Sequence, residues 1–254
     1  MVELTGWLLD LYEDPLGGLV LWFLDDSGAR RRLRQRFPVT FYAAGPAGRL
    51  HALQQWLAQQ PVPVAAYPDL REDVFAGVRV PVLAIEVQRP FDQPGLFRQV
   101  SRAFSDLSFA DADLQISLRY AAVHQVSPLG RCRVSLDGSD FIQAIAPLDS
   151  PWDLDPQDPP LRVLDLEPDC DPSHATPRAL KVRYGSQEMR LSLAPARPLL
   201  ANLRALLLEY DPDLLLTTWG DTWLLPYLIA LAEAQNDPLP LNRDPDAAIL
   251  RRKE

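Results

Sequence analysis

The sequence predicts an α/β protein of the α+β kind, built as two domains over residues 1–148 and 149–254. Three observations predict it. The first is length, because 254 residues exceed the usual single-domain size and suit two domains of about 100–150 residues. The second is the order of patterns between residues 39 and 114, strand-helix-strand-strand-helix-strand, which is the ferredoxin-like βαββαβ unit. The third is the Asp/Pro-rich stretch SPWDLDPQDPP, a linker signal after which the order of elements changes.

Taken in order, TGWLLDLYE and LVLWFL are strands separated by the turn-like DPLGG, and DDSGA turns the chain into RRLRQRFPVTFYAAG. These opening segments read as an antiparallel meander. In GRLHALQQWLAQQ the residues Leu50, Leu53, Trp56 and Leu57 share one helical face. PVPVAAY and VPVLAIEV are strands. A second helix follows Pro94 with Leu96, Val100, Ala103 and Phe104 as its buried stripe, and SFADADL closes the unit. A helix, SLRYAAVHQ, then leads to the strand pair RCRVSL and FIQAIAPL. Beyond the linker, LRVLDLE, RALKVRY and MRLSLA are three short strands. RPLLANLRALLLEY is a helix with Leu199, Leu203, Leu206 and Leu207 inward, and DLLLTTW reads as a buried strand from its continuous apolar run. PYLIALAEAQ is a last helix that tolerates Pro226 in its first turn. Three antiparallel strands, a helix, a parallel strand and a helix make the front of a ribonuclease-H-like sheet. A complete sheet of that type needs another strand and helix, so the chain is expected to be a truncated piece.

Composition excludes several classes. With 47% hydrophobic and 23% charged residues the chain buries an ordinary core. The formal net charge of −9 rules out a surface that is basic throughout, so nucleic-acid binding requires a local basic patch. Cys132 and Cys170 lie far apart and signal neither a disulfide framework nor a zinc site. MVELTGWLLD lacks a basic segment before a long apolar one, so no signal peptide is read. No apolar run reaches the ~18 residues that span a bilayer, and a cytoplasmic protein without membrane contact is expected.

The chemistry concentrates in LRVLDLEPD, residues 161–169. Side chains alternate along a strand, so Asp165 and Glu167 share a face while Leu166 packs on the other. Such a pair suits a shared Mg²⁺ or Mn²⁺, which makes both acids candidate metal ligands and catalytic residues. Two-metal phosphodiester cleavage needs ions about 3.5–4 Å apart, and Mg²⁺ wants more than one anchoring carboxylate besides its waters. The plain alternative is a strand running out into solvent. DLEPDCDPSH continues the alternation through Asp169 and Asp171 to His174, but Pro168 and Pro172 favour a solvated acidic loop. His51 and His124 sit in helix patterns and read as structural; no GxSxG elbow or Gly-rich phosphate loop is present. In ARRRLRQRF, a strand would put Arg32, Arg34 and Arg36 on one basic face opposite Leu33, Gln35 and Phe37. Guanidiniums in a row contact phosphates in a salt-sensitive, sequence-independent way; a charged sheet edge that blocks self-pairing is the alternative. Phe41 and Tyr42 carry a hint of base stacking, without the RNP1 pattern.

Four separated segments, in order, resemble the N-terminal portion of family B DNA polymerases. FPVTFYAAG is similar to a strand of their N-terminal domain with an aromatic pair. DADLQISLRYAAVHQVSPLG is similar to their acidic segment, Arg-Tyr helix and xPxG exit. LRVLDLEPD resembles the first exonuclease motif, an Asp-x-Glu on a buried strand, and DPDLLLTTWGDTWLLPYL resembles the second motif and its approach. The resemblance implies an N-terminal domain followed by a partial, ribonuclease-H-like 3′–5′ exonuclease-like domain. It also implies DNA, single-stranded or primer-template, as a partner, with Tyr42 and Arg119 beside the arginine row as contacts. The palm, fingers and thumb of a parent DNA-directed DNA polymerase, a nucleotidyltransferase of replication or repair synthesis, are the other implied partners.

The second motif departs from the family. Its aromatic residue is normally followed by an aspartate, whereas Trp223 is followed by Leu224, and the upstream asparagine is missing from TTWGDTW. Leucine supplies no oxygen and sets apolar surface where the ion should sit. The reading is therefore of a domain that no longer hydrolyses DNA, with Asp165 and Glu167 as vestigial ligands and Mg²⁺ or Mn²⁺ bound weakly or not at all in this piece. Two alternatives are a divergent two-metal exonuclease using Asp165, Glu167 and Asp221, and a protein-interaction scaffold without DNA binding, motivated by the acidic charge. In the bland case Asp221 is a turn residue bonded to nearby amides.

Overall fold

The computed structural model describes residues 2–73, 77–150 and 152–244. The chain divides into two compact units, the first ending at Pro159 and the second starting at Pro160. Most of SPWDLDPQDPP, the stretch read as a linker, belongs to the first unit, so the division lies some ten residues later than the 148/149 boundary read from the sequence. Asp149 accepts the Arg131 amide at 2.7 Å, and the Gln157 carbonyl accepts the Trp7 indole at 3.0 Å.

In the first unit β1 (Val2–Glu13), β2 (Leu19–Asp25) and β3 (Arg30–Gln35) form the meander that the sequence predicts. Its turns are built by their own residues. Gly18 takes φ 78°, and a Cβ there would meet the Gln35 carbonyl oxygen at 2.3 Å. In the next turn the Asp25 carboxylate accepts the amides of Ser27 and Ala29, each at 3.0 Å, and pairs with Arg31 at 2.7 Å. Burial opposes ionisation of Asp25, but the bonds from Ser27, Arg31 and Ala29 outweigh it and hold the carboxyl at about 2. β8 (Arg131–Leu136) and β9 (Ile142–Pro147) extend the sheet to the order β3-β2-β1-β8-β9. The outermost strands curl towards each other, since the Arg34 amide donates to the Asp140 carbonyl at 3.1 Å. Helix α3 (Ile116–His124) packs here through Tyr120, which is fully buried and donates its hydroxyl to Gln35 Oε1 at 2.6 Å.

The ferredoxin-like unit follows as β4 (Val39–Ala44), α1 (Ala47–Leu57), β5 (Val64–Asp73), β6 (Val78–Val87), α2 (Gln93–Ala103) and β7 (Ser108–Ala110). Its strand order, β5-β6-β4-β7, puts the first strand next to the third and fourth, as the βαββαβ order requires. Phe41 and Ile85 on the sheet meet Leu53 and Leu57 of α1 and Leu96 and Val100 of α2 in the first core. Each fully buried leucine there contributes about 1.5–3 kcal/mol. Ala103 is exposed and Phe104, just past the helix, is buried in its place.

The second unit orders β10 (Val163–Pro168), β11 (Ala179–Tyr184), β12 (Gln187–Ser192) and β13 (Leu214–Thr217) as β12-β11-β10-β13. β13 runs parallel to β10, which requires the crossover supplied by α4 (Ala196–Tyr210). A π-helical turn, Gly220–Leu224, leads into α5 (Leu225–Ala234). One face of the sheet, with Leu164, Leu166, Leu180 and Val182, packs on Leu199, Leu200, Leu203 and Leu207 of α4 and Leu228 of α5. The burial of β13 differs from the sequence reading. It is an outer strand, with Leu214 42% and Leu216 47% exposed and only Leu215 packed on the core. An apolar run signals two faces that favour burial, but among the described residues nothing covers the outer one. No described helix is long and apolar enough to cross a membrane.

Candidate functional site

Strand β10 delivers the two acids as its alternation dictates. Leu164 and Leu166 turn into the core, while Asp165 and Glu167 lie half-buried on the opposite face. Across the antiparallel pairing Asp165 stands opposite Arg183 of β11, and Glu167 opposite Lys181. The Arg183 guanidinium closes on both carboxylates: Nη2 lies 2.6 Å from Asp165 Oδ2 and 3.1 Å from Glu167 Oε1, and Nε lies 3.1 Å from Asp165 Oδ2. The Asp165 hydrogen bond, with the charges of both acids, holds that guanidinium more firmly protonated than an ordinary arginine.

The third acid is elsewhere. Asp221 is exposed in the π-helical turn, and no group of three or more His, Cys, Asp or Glu among the described residues is arranged to hold a metal ion. Leu224 is also placed differently from the sequence reading. It is fully buried in the second core, and the group found at the acid pair is the Arg183 guanidinium. The donor set thus does not fit a divalent ion held as in a two-metal nuclease. Two oxygens that would ligate the ion already accept from the Arg183 guanidinium, and among the described residues no further acid joins them. Of the acidic loop, Asp169 pairs with Arg190 at 2.6 Å, and Asp171 accepts the Ser173 amide at 2.8 Å and lies 2.9 Å from His174 Nδ1.

The arginine row keeps the predicted alternation. Leu33, Gln35 and Phe37 are buried, Arg32 and Arg34 are half-buried, and Arg36 is exposed just past β3. Arg34 faces the buried carboxylate of Asp14 at 3.7 Å. Arg36 lines an open hollow of about 590 Å³ with Gln35, Asp137 and Phe141. Tyr42 and Phe41 separate onto the two faces of β4, Phe41 into the core and Tyr42 under the Arg71 guanidinium, 4.7 Å from its ring centroid. Burial pushes the Tyr42 hydroxyl up, with Arg71 opposing it. Arg119 donates to the carbonyls of Thr40 at 2.7 Å, Leu114 at 3.2 Å and Asp111. That guanidinium ties strand β4 to the 111–114 loop.

Sequence reasoning missed two sets of residues. Arg183 is one. The other is an ion network at the entry to β13, where Asp213 accepts Arg243 Nη2 at 3.0 Å and the Arg162 amide at 2.8 Å, while Asp211 pairs with Arg162 at 2.5 Å and Arg243 at 2.7 Å. The Asp-Pro-Asp of the sequence was a signal for it; its arginine partners lie about 30 and 50 residues away, at 32 and 49 positions from Asp211.

No protein-family model matches the chain, and no curated protein does. Among solved structures it is similar to the family B DNA polymerase of the hyperthermophilic archaeon Pyrobaculum calidifontis, with a TM-score of 0.73 and 22% identity over 94% of this chain. The chain has the fold of part of a family B DNA polymerase. The match covers 33% of the polymerase chain, so this chain spans about a third of its length. In this chain FPVTFYAAG runs into β4, the Arg-Tyr pair lies on α3, Asp-x-Glu on β10 and the Gly-Asp turn ahead of α5.

Proposed function

We propose that this chain serves as the N-terminal region of a family B type DNA polymerase, where it binds DNA and braces the catalytic domains. Its exonuclease-like unit does not hydrolyse DNA. The observation that supports this most is the likeness in fold over 94% of the chain. The basic row of Arg32, Arg34 and Arg36 on β3 and its exit supplies a phosphate-contacting surface on a chain of net charge −9. Tyr42 and Arg119 stand further along the same unit as contacts at the β4 face. Palm, fingers and thumb domains are the protein partners of this reading, with replication or repair synthesis as the setting. The pair Asp165 and Glu167 remains on its strand without the third acid that two-metal chemistry needs.

Two measurements on the purified chain test this reading. In filter retention, single-stranded DNA is held at low salt and released as salt rises, and replacing Arg32, Arg34 and Arg36 by alanine weakens retention and flattens the salt slope by up to about three charges. Digestion of end-labelled single-stranded DNA with Mg²⁺ or Mn²⁺ shows no shortening beyond a chelated control. Retention that ignores the triple substitution removes the proposed surface. Shortening that depends on metal and disappears in Asp165→Ala overturns the claim of inactivity.

A further inference from the structure

We propose that Arg183 is the resident cation of the Asp165–Glu167 pair, supplied by the chain itself where a metal ion would otherwise sit, and that removing it turns the pair into a divalent-cation site. The inference rests on reading the two acids as the remainder of a metal centre. It is carried by an occupant that the structure shows, because a single Nη2 lies within 3.1 Å of both carboxylates.

Strand register produces the arrangement. Arg183 is the residue directly opposite Asp165, and its side chain falls on the same face as both acids. A guanidinium keeps its charge at any ordinary pH and matches carboxylate geometry with paired donors, so no titration of the arginine itself releases the site. The other charged groups on this face leave the balance in place. Lys181 stands opposite Glu167, Glu188 stands opposite Arg183 across the next strand pair, and Arg190 is taken by Asp169. An incoming Mg²⁺ or Mn²⁺ therefore meets two acids already neutralised in part and must displace a hydrogen-bonded cation to reach them. Without Arg183 the carboxylates stand side by side, with oxygen donors facing solvent, which is the environment a hard divalent ion prefers.

The test is titration of the purified chain with Mn²⁺, following the free-ion signal by electron paramagnetic resonance. Arg183→Gln is expected to bind one Mn²⁺ at least about tenfold more tightly than the unaltered chain, the effect of removing one unit charge at contact distance in a half-exposed site. Adding Asp165→Asn to that variant abolishes the gain, and Arg183→Lys, which keeps the charge, stays near the unaltered chain. Matching far-ultraviolet circular dichroism shows that the variants are folded. Equal binding by the unaltered chain and Arg183→Gln overturns the proposal, as does a gain that survives Asp165→Asn or appears equally in Arg183→Lys. The readout uses no DNA, so a loss of DNA retention and a failure here are separate results.

Discussion

Arg183 is an ordinary residue in the sequence, one of the polar positions in an alternating strand. Its role depends on which residue of β10 it faces, and that is set by the pairing of Leu166 with Val182, not by any spacing along the chain. The connection between β10 and β11 is too long to fix a register by turn type. Asp165 and Glu167 were legible because two residues two apart on a strand must share a face; their partner was not. Since the three side chains are 25%, 28% and 44% exposed, the ion pair adds little to stability. Arg183→Gln is expected to shift the unfolding free energy by about 0–1 kcal/mol in urea titration, and a loss of several kcal/mol would make the arginine structural instead. Asp25 behaves differently. Its folded-state value of about 2 lies below that of an unfolded aspartate, so its contribution is present above the unfolded value and lost as pH falls towards the folded one. Stability of the chain is expected to drop between about pH 4 and pH 2, and Asp25→Asn to flatten that part of the profile. An unchanged slope in the variant would remove Asp25 as the cause.

Elements were more readable than their surroundings. The period of Leu199, Leu203 and Leu207 gives α4 its buried side, and the structure adds Leu200 to it. β13 was readable as a strand from LLLT, yet its burial was not, because hydrophobicity reports what a side chain prefers and not which neighbour is there. At the entry to that strand, the Asp213 side chain is 1% exposed and holds Arg243 and the Arg162 amide together. Asp213→Ala leaves the Arg162 amide without its acceptor while Arg243 keeps Asp211 and two backbone carbonyls, and a loss of about 1–3 kcal/mol is expected in the urea unfolding of the chain. A cost under 1 kcal/mol would show that solvent replaces the carboxylate. β1 carries a second sensitive point at Gly6, where a Cβ would lie 2.0 Å from the Leu24 carbonyl oxygen. Gly6→Ala forces β1 and β2 apart and is expected to lower the melting temperature; an unaltered melting curve would show that the strands give way freely.

At the scale of the molecule, the ferredoxin-like order and the antiparallel-then-parallel sheet were both visible in the sequence, since each follows from the succession of period-two and period-3.6 segments. Curling of the five-stranded sheet was not visible, because Arg34 and Asp140 meet across more than a hundred residues. The first unit carries the basic row of β3, and in the second unit the acid pair of β10 is neutralised by Arg183. The most direct test is a crystal of the chain grown with Mn²⁺ and single-stranded DNA, with anomalous diffraction recorded at the manganese edge. The account predicts no manganese peak between Asp165 and Glu167 and continuous density for the Arg183 guanidinium bridging them. Two manganese peaks about 3.5–4 Å apart at that position, with Arg183 swung away, would contradict it.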